Sequence, residues 1–157
     1  MSNDMALREQ LVALISGSNA HANFDHAVKA LPAEMRGKRA RGAPHSPWEL
    51  LEHMRIAQWD ILEFSRGDKH RSPKWPEGYW PAAPAPPDNK AWDESVRAFR
   101  RDRKAMCDLV SDPASDLYAK IPHGSGQTIL REALLAADHN AYHLGQLILV
   151  RRLLGAW

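Results

Sequence analysis

Several features that define particular protein classes are missing from this sequence. It contains one cysteine, Cys107, so no disulfide can form within the chain and a metal site made of several cysteines is excluded. No uninterrupted apolar run approaches the roughly 20 residues that span a bilayer. The N-terminus lacks a basic segment followed by an apolar one, the pattern of a secretory signal. We therefore expect a cytoplasmic protein without membrane association.

A strong excess of one charge is also missing. Lys and Arg number 21 against 19 Asp and Glu, which gives a net charge of +2 and no general attraction to nucleic acid or membranes. One basic cluster, Arg36, Lys38, Arg39 and Arg41, can contact phosphate, but it lacks the interleaved aromatic residues of single-strand binding sites. We expect no nucleic-acid partner, and a low-salt binding assay tests the opposite hypothesis for this cluster and the third helix.

Neither the alternating pattern of β-strands nor an internal repeat is found, whereas apolar residues recur at helical spacing in four segments. The first segment, Asp4 to Leu31, predicts one long amphipathic helix with Ser18, His21 and Asp25 in its apolar register. His21 and Asp25 lie one turn apart, so they can bond each other in the core or bind a ligand. At 157 residues, the chain fits a single domain over 1–157.

The other three helices have clearer boundaries. Ser46, Pro47 and Glu49 form a helix start with an N-cap serine, a proline in first position and a glutamate three residues after the cap. This second helix extends to about Arg66. The third begins at Asp88 or Asn89 and ends near Val110, and the fourth covers Thr128 to Leu154. The sequence thus predicts an all-α bundle.

The segment between the second and third helices, residues 67–88, is rich in proline. Its six prolines exclude regular structure, and its aromatic residues Trp75, Tyr79 and Trp80 favour packing against the body of the protein. A connection of this length can span a whole helix. It therefore allows the second and third helices to be parallel, and it can also cover a binding site.

Two histidines, His139 and His143, lie four residues apart in the fourth helix and project from the same face. With Glu132 and Gln146 they form a polar stripe, and an apolar set occupies the opposite side: Leu130, Leu134, Ala137, Ala141, Leu144 and Ile148. Such a stripe is either a solvated helix face or a metal site. The stripe holds one charged residue, which argues against a simple solvated face.

A metal site needs a third ligand, and His53 is the natural one. It lies beside the apolar stripe of the second helix, where the alternative is a hydrogen-bonded core histidine. Candidates for orienting the histidines or transferring protons are Asp25, His21, Asp60, Glu132 and Gln146. In zinc proteases the residue after the first histidine is a glutamate, and here it is Asn140, so peptidase chemistry of that type is not expected.

The residues Ser46 to His53, the proline-rich segment and the sequence Asp138 to Gln146 together resemble the DinB/YfiT-like superfamily, over nearly the whole chain. The resemblance implies a four-helix bundle with up-down-down-up topology and a long crossover between helices two and three. It also implies a metal site formed by His53, His139 and His143, and homodimers are common in the family. Members include thiol-dependent S-transferases, a mycothiol-dependent isomerase and metal-dependent hydrolases.

We expect a divalent metal ion, zinc or nickel first, in a three-histidine site that keeps a coordination position open. Such a metal supplies Lewis acidity toward oxygen. The expected function is a metal-dependent hydrolase or thiol-type transferase acting on an unknown small molecule, although no residue constellation for a thiol cofactor is apparent. The alternative is a non-enzymatic stress-response protein that binds a metal or another ligand.

Overall fold

The computed structural model describes residues 3–17 and 19–157, and within them it is helical without strands. Its five α-helices are α1 (Asn3–Ser16), α2 (Phe24–Val28), α3 (Pro47–Arg66), α4 (Asn89–Ser111) and α5 (Ile129–Leu153). Two short 3₁₀ turns, Ala33–Met35 and Glu77–Tyr79, lie in the connections. The prediction of an all-α protein is confirmed. No helix in these two ranges has the length and apolarity needed to cross a membrane.

The start of α3 follows from its capping residues. The Ser46 hydroxyl accepts a hydrogen bond from the Glu49 backbone N–H at 3.2 Å, and the Glu49 carboxylate accepts one from the Ser46 backbone N–H at 2.7 Å. These reciprocal bonds satisfy two of the otherwise unpaired N–H groups at the helix end. The side chains of Asp88 and Thr128 each accept one hydrogen bond at the start of α4 and α5, from the N–H of the third residue after the cap. The predicted boundaries of all three helices are thus confirmed within one or two residues.

The prediction of one long helix from Asp4 to Leu31 is wrong. α1 ends at Ser16, and Gly17 follows with a φ of +69°, a left-handed conformation that glycine adopts without steric cost. A new helix starts after Asn23, whose side chain accepts a hydrogen bond from the His26 backbone N–H. The apolar spacing continues across this break although the apolar residues of α1 pack into one hydrophobic cluster and those of α2 into another. Ser18 lies outside the described residues.

α3 and α4 pack against each other along their lengths. The rings of Trp48 and Trp92 lie 6.4 Å apart, the Ser95 hydroxyl donates to Glu52, and the Gln58 amide donates to the Phe99 carbonyl at 2.8 Å. The contact partners therefore advance in the same direction along both helices. α3 also packs against α5, and α1 packs against α4 and α5.

The buried face of α5 differs from the apolar side expected from the sequence. Leu134 is 46% exposed and Ala141 is exposed, whereas Glu132 is only 3% exposed. The buried sector keeps Ala137 and Leu144 of the expected set and adds Glu132, Ala133, Ala136, Asn140, His143, Leu147, Val150 and Arg151. The histidines of the polar stripe face α3. Because α5 has this orientation, Leu134 and Ala141 face the solvent.

Candidate metal centre

Helices α3 and α5 bring the three predicted histidines together. The Nε2 atom of His53 lies 3.1 Å from Nε2 of His143 and 3.1 Å from Nε2 of His139. One nitrogen from each ring falls within 4.8 Å of the others. His53 and His143 are buried, and His139 is partly exposed. Their role as metal ligands remains a prediction, but their proximity is a property of the fold.

In His53 and His143, Nε2 faces the cluster and Nδ1 points away from it; we call them the inner and the outer nitrogen. The hydrogen bond at the outer nitrogen determines whether the inner nitrogen carries a proton. His53 Nδ1 lies 2.9 Å from the Tyr79 carbonyl oxygen, which can only accept, so this nitrogen carries the proton of a neutral ring. His143 Nδ1 lies 2.7 Å from Oε1 of Gln146 and is protonated for the same reason. The two Nε2 atoms that face each other are then both unprotonated. Two facing lone pairs favour a shared cation, which is either a proton or a metal ion.

The spacing of these nitrogens suits such a cation. Imidazole nitrogens bind zinc at about 2.0 to 2.1 Å, so two of them on one tetrahedral ion lie about 3.3 Å apart. Two of the separations are 3.1 Å, close to that value, and all three nitrogens lie within 4.8 Å of one another. The donor set and its spacing therefore fit a divalent metal.

Burial keeps these rings neutral and ready to bind a metal. Burial, together with the neighbouring histidines, lowers the pKa of His53 and that of His139 to about 4, although the bond to the Tyr79 carbonyl opposes this for His53. Burial also lowers the pKa of His143, against the opposing effect of its hydrogen bond to Gln146. Neutral imidazoles are the ligand form, so protons compete little with a metal at neutral pH.

An aromatic stack closes one side of the cluster. The Trp80 ring lies parallel to the His53 ring, with 3.9 Å between their centroids, and His45 stacks on the indole at 4.0 Å. The preceding residue, Tyr79, supplies the carbonyl that binds His53. Residues 67–88 thus contact the cluster through two consecutive residues. Trp75, which was expected to pack against the body, is instead 69% exposed.

A family model of the DinB superfamily matches residues 18–147, well over half of the chain. The chain belongs to the DinB superfamily. No curated protein matches it. No solved structure matches it either. The histidine cluster lies inside the matched range, so the DinB region carries the whole candidate centre.

Two further candidates from the sequence lie near the DinB histidine cluster. Gln146 contacts His143 directly. Asp60 is one step removed, because its carboxylate accepts hydrogen bonds from the Tyr79 hydroxyl at 2.6 Å and from His70 at 2.7 Å. Burial and the bond to Asp60 raise the pKa of Tyr79 to about 12, so this hydroxyl stays a donor. Through these two hydrogen bonds, Asp60 connects residues 67–88 with α3.

The remaining candidates lie elsewhere. Asp25 pairs with Arg100 and Arg103 at 2.6 and 3.1 Å. Partial burial raises its pKa, but the bonds to these arginines outweigh that effect and hold it below its usual value. His21 is exposed, and its Nδ1 contacts the adjacent Ala22 carbonyl. The expected contact between Asp25 and His21 depended on a continuous helix, which is broken here.

Glu132 is buried on the same stripe as His139 but lies seven residues before it, about 10 Å along the helix. Its carboxylate accepts a hydrogen bond from Arg131. Within residues 3–17 and 19–157, no hydrogen bond joins the Glu132 carboxylate to any of the three histidines. Distance along α5 separates it from the cluster.

The sequence did not reveal two residues that surround the three histidines. Trp80 was noted for packing without its stacking on His53, and His45 was not selected. Asn140, singled out as the missing glutamate, is a core residue. Its amide donates to Gln58 at 2.8 Å, and Gln58 in turn donates to α4. The aromatic content of the proline-rich segment was the available signal for Trp80.

Proposed function

We propose that this DinB-superfamily protein is a metal-dependent enzyme, a hydrolase or thiol-type transferase, that acts on a small molecule. His53, His139 and His143 are the proposed metal ligands. The observation that carries the proposal is the convergence of three Nε2 atoms, two of whose rings are protonated on the outer nitrogen. Three protein ligands leave a coordination position for substrate, as in catalytic sites.

The surrounding residues orient the ligands and limit access of water. The Tyr79 carbonyl and Gln146 hold two outer nitrogens and thereby aim two inner ones. Trp80 covers the face of His53. A bound divalent ion would supply Lewis acidity toward a substrate oxygen or sulfur. The partly exposed His139 marks the side from which a small molecule can enter.

We further propose zinc or nickel as the metal. The support is the all-nitrogen donor set, which suits borderline ions better than magnesium or calcium, whose preferred ligands are oxygens. Competition between the two ions in solution, followed by elemental analysis of the desalted protein, distinguishes them. Retention of magnesium or calcium in their place would contradict this choice.

An activity screen tests the enzymatic proposal. Metal-loaded protein is assayed against ester, amide and thiol-transfer substrate sets, beside His53→Ala, His139→Ala and His143→Ala. The matched control is His26→Ala, because His26 is an exposed histidine that does not belong to the cluster. Turnover that needs all three cluster histidines and not His26 supports the proposal. Turnover unaffected by the three substitutions contradicts it.

One observation favours the alternative, a protein that binds a metal or ligand without turnover. In the described ranges no carboxylate bonds directly to the three histidines, and the nearest connected one, Asp60, acts through Tyr79. A general base would have to come from the substrate or solvent. Stoichiometric metal with no activity in the screen would favour this stress-response type of function.

We also propose the up-down-down-up bundle for α1, α3, α4 and α5, with residues 67–88 as the crossover. The support comes from the contact pairs. They advance together between α3 and α4, whereas His53 contacts His143 and Gln58 contacts Asn140 in opposite order between α3 and α5. Spin labels at Arg66 and Lys90, in a Cys107→Ser background, test this. Parallel helices place the labels about 30 Å apart, and antiparallel ones place them close together.

A homodimer is proposed from the outer face of α5. Leu134 and Tyr142 are each about half exposed or more, and together they form a short apolar stripe that does not line any of the cavities near the histidine cluster. Stripes of this kind commonly mark protein contacts. Sedimentation of the wild type and of Tyr142→Lys checks the idea. A dimer that the substitution weakens is expected, and a wild-type monomer at high concentration would contradict it.

A further inference from the structure

A cavity of about 230 Å³ lies directly behind the histidine cluster, between the connector that precedes α3 and the last two turns of α5. Two of its lining residues belong to the surroundings of the cluster. Gln146 binds His143, and His45 stacks on Trp80, which covers His53. A molecule in this cavity would therefore contact residues that themselves contact the candidate metal centre or its tryptophan.

Most of the cavity wall is apolar. Four aliphatic side chains supply it: Leu50, Leu149, Val150 and Leu153. Leu149 and Leu153 are more than half exposed, so the cavity opens to solvent along α5. Its volume lies below the approximately 300 to 1,000 Å³ of sites for drug-sized ligands. The cavity suits a short aliphatic or small aromatic group.

The charged part of the wall is positive. Arg41 lines the cavity, is exposed, and forms no hydrogen bond or ion pair with any described residue. No Asp or Glu lines the cavity. The nearby Glu49 is already bound by Arg39 and by the Ser46 backbone N–H. The guanidinium of Arg41 is thus free to bind an anion, and its planar shape matches a carboxylate.

We infer that this cavity binds a small organic acid, with its apolar chain against Leu50, Val150 and Leu153 and its carboxylate at Arg41. The inference rests on charge complementarity and on an apolar wall that ends at an unpaired cation. It goes beyond the proposed function by naming a class of ligand and its site. It does not require the metal, so the two proposals can fail separately.

The test is a titration with sodium hexanoate, followed by NMR of the leucine and valine methyl groups in metal-loaded and metal-free protein. Hexan-1-ol is the neutral probe and acetate is the probe without an apolar chain. Arg41→Gln removes the proposed anion site. Lys38→Gln is the matched control, since Lys38 is an exposed cation of the same connector that does not line the cavity.

Hexanoate is expected to shift the methyl signals of Leu50, Leu149, Val150 and Leu153, and acetate is not. Arg41→Gln should weaken hexanoate binding about fivefold, the most that a single exposed charge pair typically contributes. Lys38→Gln should leave it unchanged, and hexan-1-ol should bind the wild type and Arg41→Gln equally. An equal effect of both substitutions, or no shift of these methyl groups, would overturn the inference.

Two further outcomes separate the explanations. If a second copy of the chain covers this face, the methyl signals of Leu149 and Leu153 will shift with protein concentration and not with hexanoate, which contradicts an acid-binding cavity. Elemental analysis of the same samples reports on the metal. Hexanoate binding without metal uptake would refute only the proposed metal centre, and metal uptake without hexanoate binding would refute only the cavity ligand.

Discussion

His53 and His143 are 90 positions apart in the sequence, yet their Nε2 atoms lie 3.1 Å from each other. Each ring has its outer nitrogen at an acceptor, the Tyr79 carbonyl for His53 and the Gln146 amide oxygen for His143. Both inner nitrogens therefore present lone pairs to the same point. Two helices and a loop residue thus arrange a pair of nitrogens that is suited to share a cation.

Gln146→Leu removes the acceptor that orients His143. Metal affinity is expected to fall about 10- to 100-fold, the usual effect of losing a hydrogen-bond partner of a ligand histidine. Gln146→Glu keeps an acceptor at the same place and should retain the affinity. Competition with a chelator of known affinity measures both. Gln10→Leu, on the exposed face of α1, is the control. Unchanged affinity in Gln146→Leu would show that the contact does not position His143.

Trp80→Ala removes the stacking on His53 and His45. The free energy of unfolding is expected to fall by about 1–2 kcal/mol, from lost aromatic contacts and apolar burial. Trp75→Ala removes the same residue type from an exposed position of the same segment, so its effect should stay within about 0.5 kcal/mol. Urea unfolding of both variants gives the comparison. Equal destabilisation would contradict the asymmetric packing of these two tryptophans.

The metal-free protein should lose stability as pH falls from about 6.5 to 4. In the folded chain the pKa of His53 and that of His139 are about 4, whereas an unfolded histidine has a pKa of about 6.5. Between these values the unfolded chain binds protons that the folded chain does not, so lowering the pH favours unfolding. The contribution is fully present above about pH 6.5.

Urea midpoints at pH 7.5 and pH 5 in the presence of a chelator measure this effect. The control is the double variant His53→Gln/His139→Gln, which lacks both depressed groups. It should lose less stability than the wild type over this interval. If both proteins lose the same amount, the pH dependence comes from other groups and the two histidines are not protected from protonation.

Ser46→Ala tests the start of α3, which places His53 two turns into the helix. The substitution removes the bond to the Glu49 N–H and another to the Pro84 carbonyl of the proline-rich segment. A cost of about 1–2 kcal/mol is expected, because Ser46 is fully buried and replacement of an N-cap serine typically costs this much. Ser111→Ala, at the exposed end of α4, should be nearly neutral. Thermal or urea unfolding of both variants measures the stability that each substitution costs.

Local signals predicted α3, α4 and α5 because their boundaries depend on neighbouring residues. Ser46 and Glu49 bond to each other across three positions, and Thr128 and Asp88 act over the same distance. The proximity of His139 and His143 follows from helix geometry alone. These features needed no knowledge of the rest of the fold.

Features that depend on packing could not be predicted in the same way. The spacing of apolar residues did not reveal the break at Gly17, since the helices on both sides of it bury apolar residues, each in its own cluster. Asp25 binds Arg103 of α4, a pairing that depends on how two separate segments meet. The exposure of Leu134 depends on which side of α5 faces α3. The stacking of Trp80 on His53 required the path of residues 67–88.

Elemental analysis of protein purified without a His-tag or chelating resin tests the central claim most directly. It is carried out on the wild type, on His139→Ala and on His26→Ala as the matched histidine control. We predict close to one zinc or nickel ion per chain in the wild type and in His26→Ala, and almost none in His139→Ala. A wild type that contains no metal and takes up neither zinc nor nickel when they are added would contradict the account.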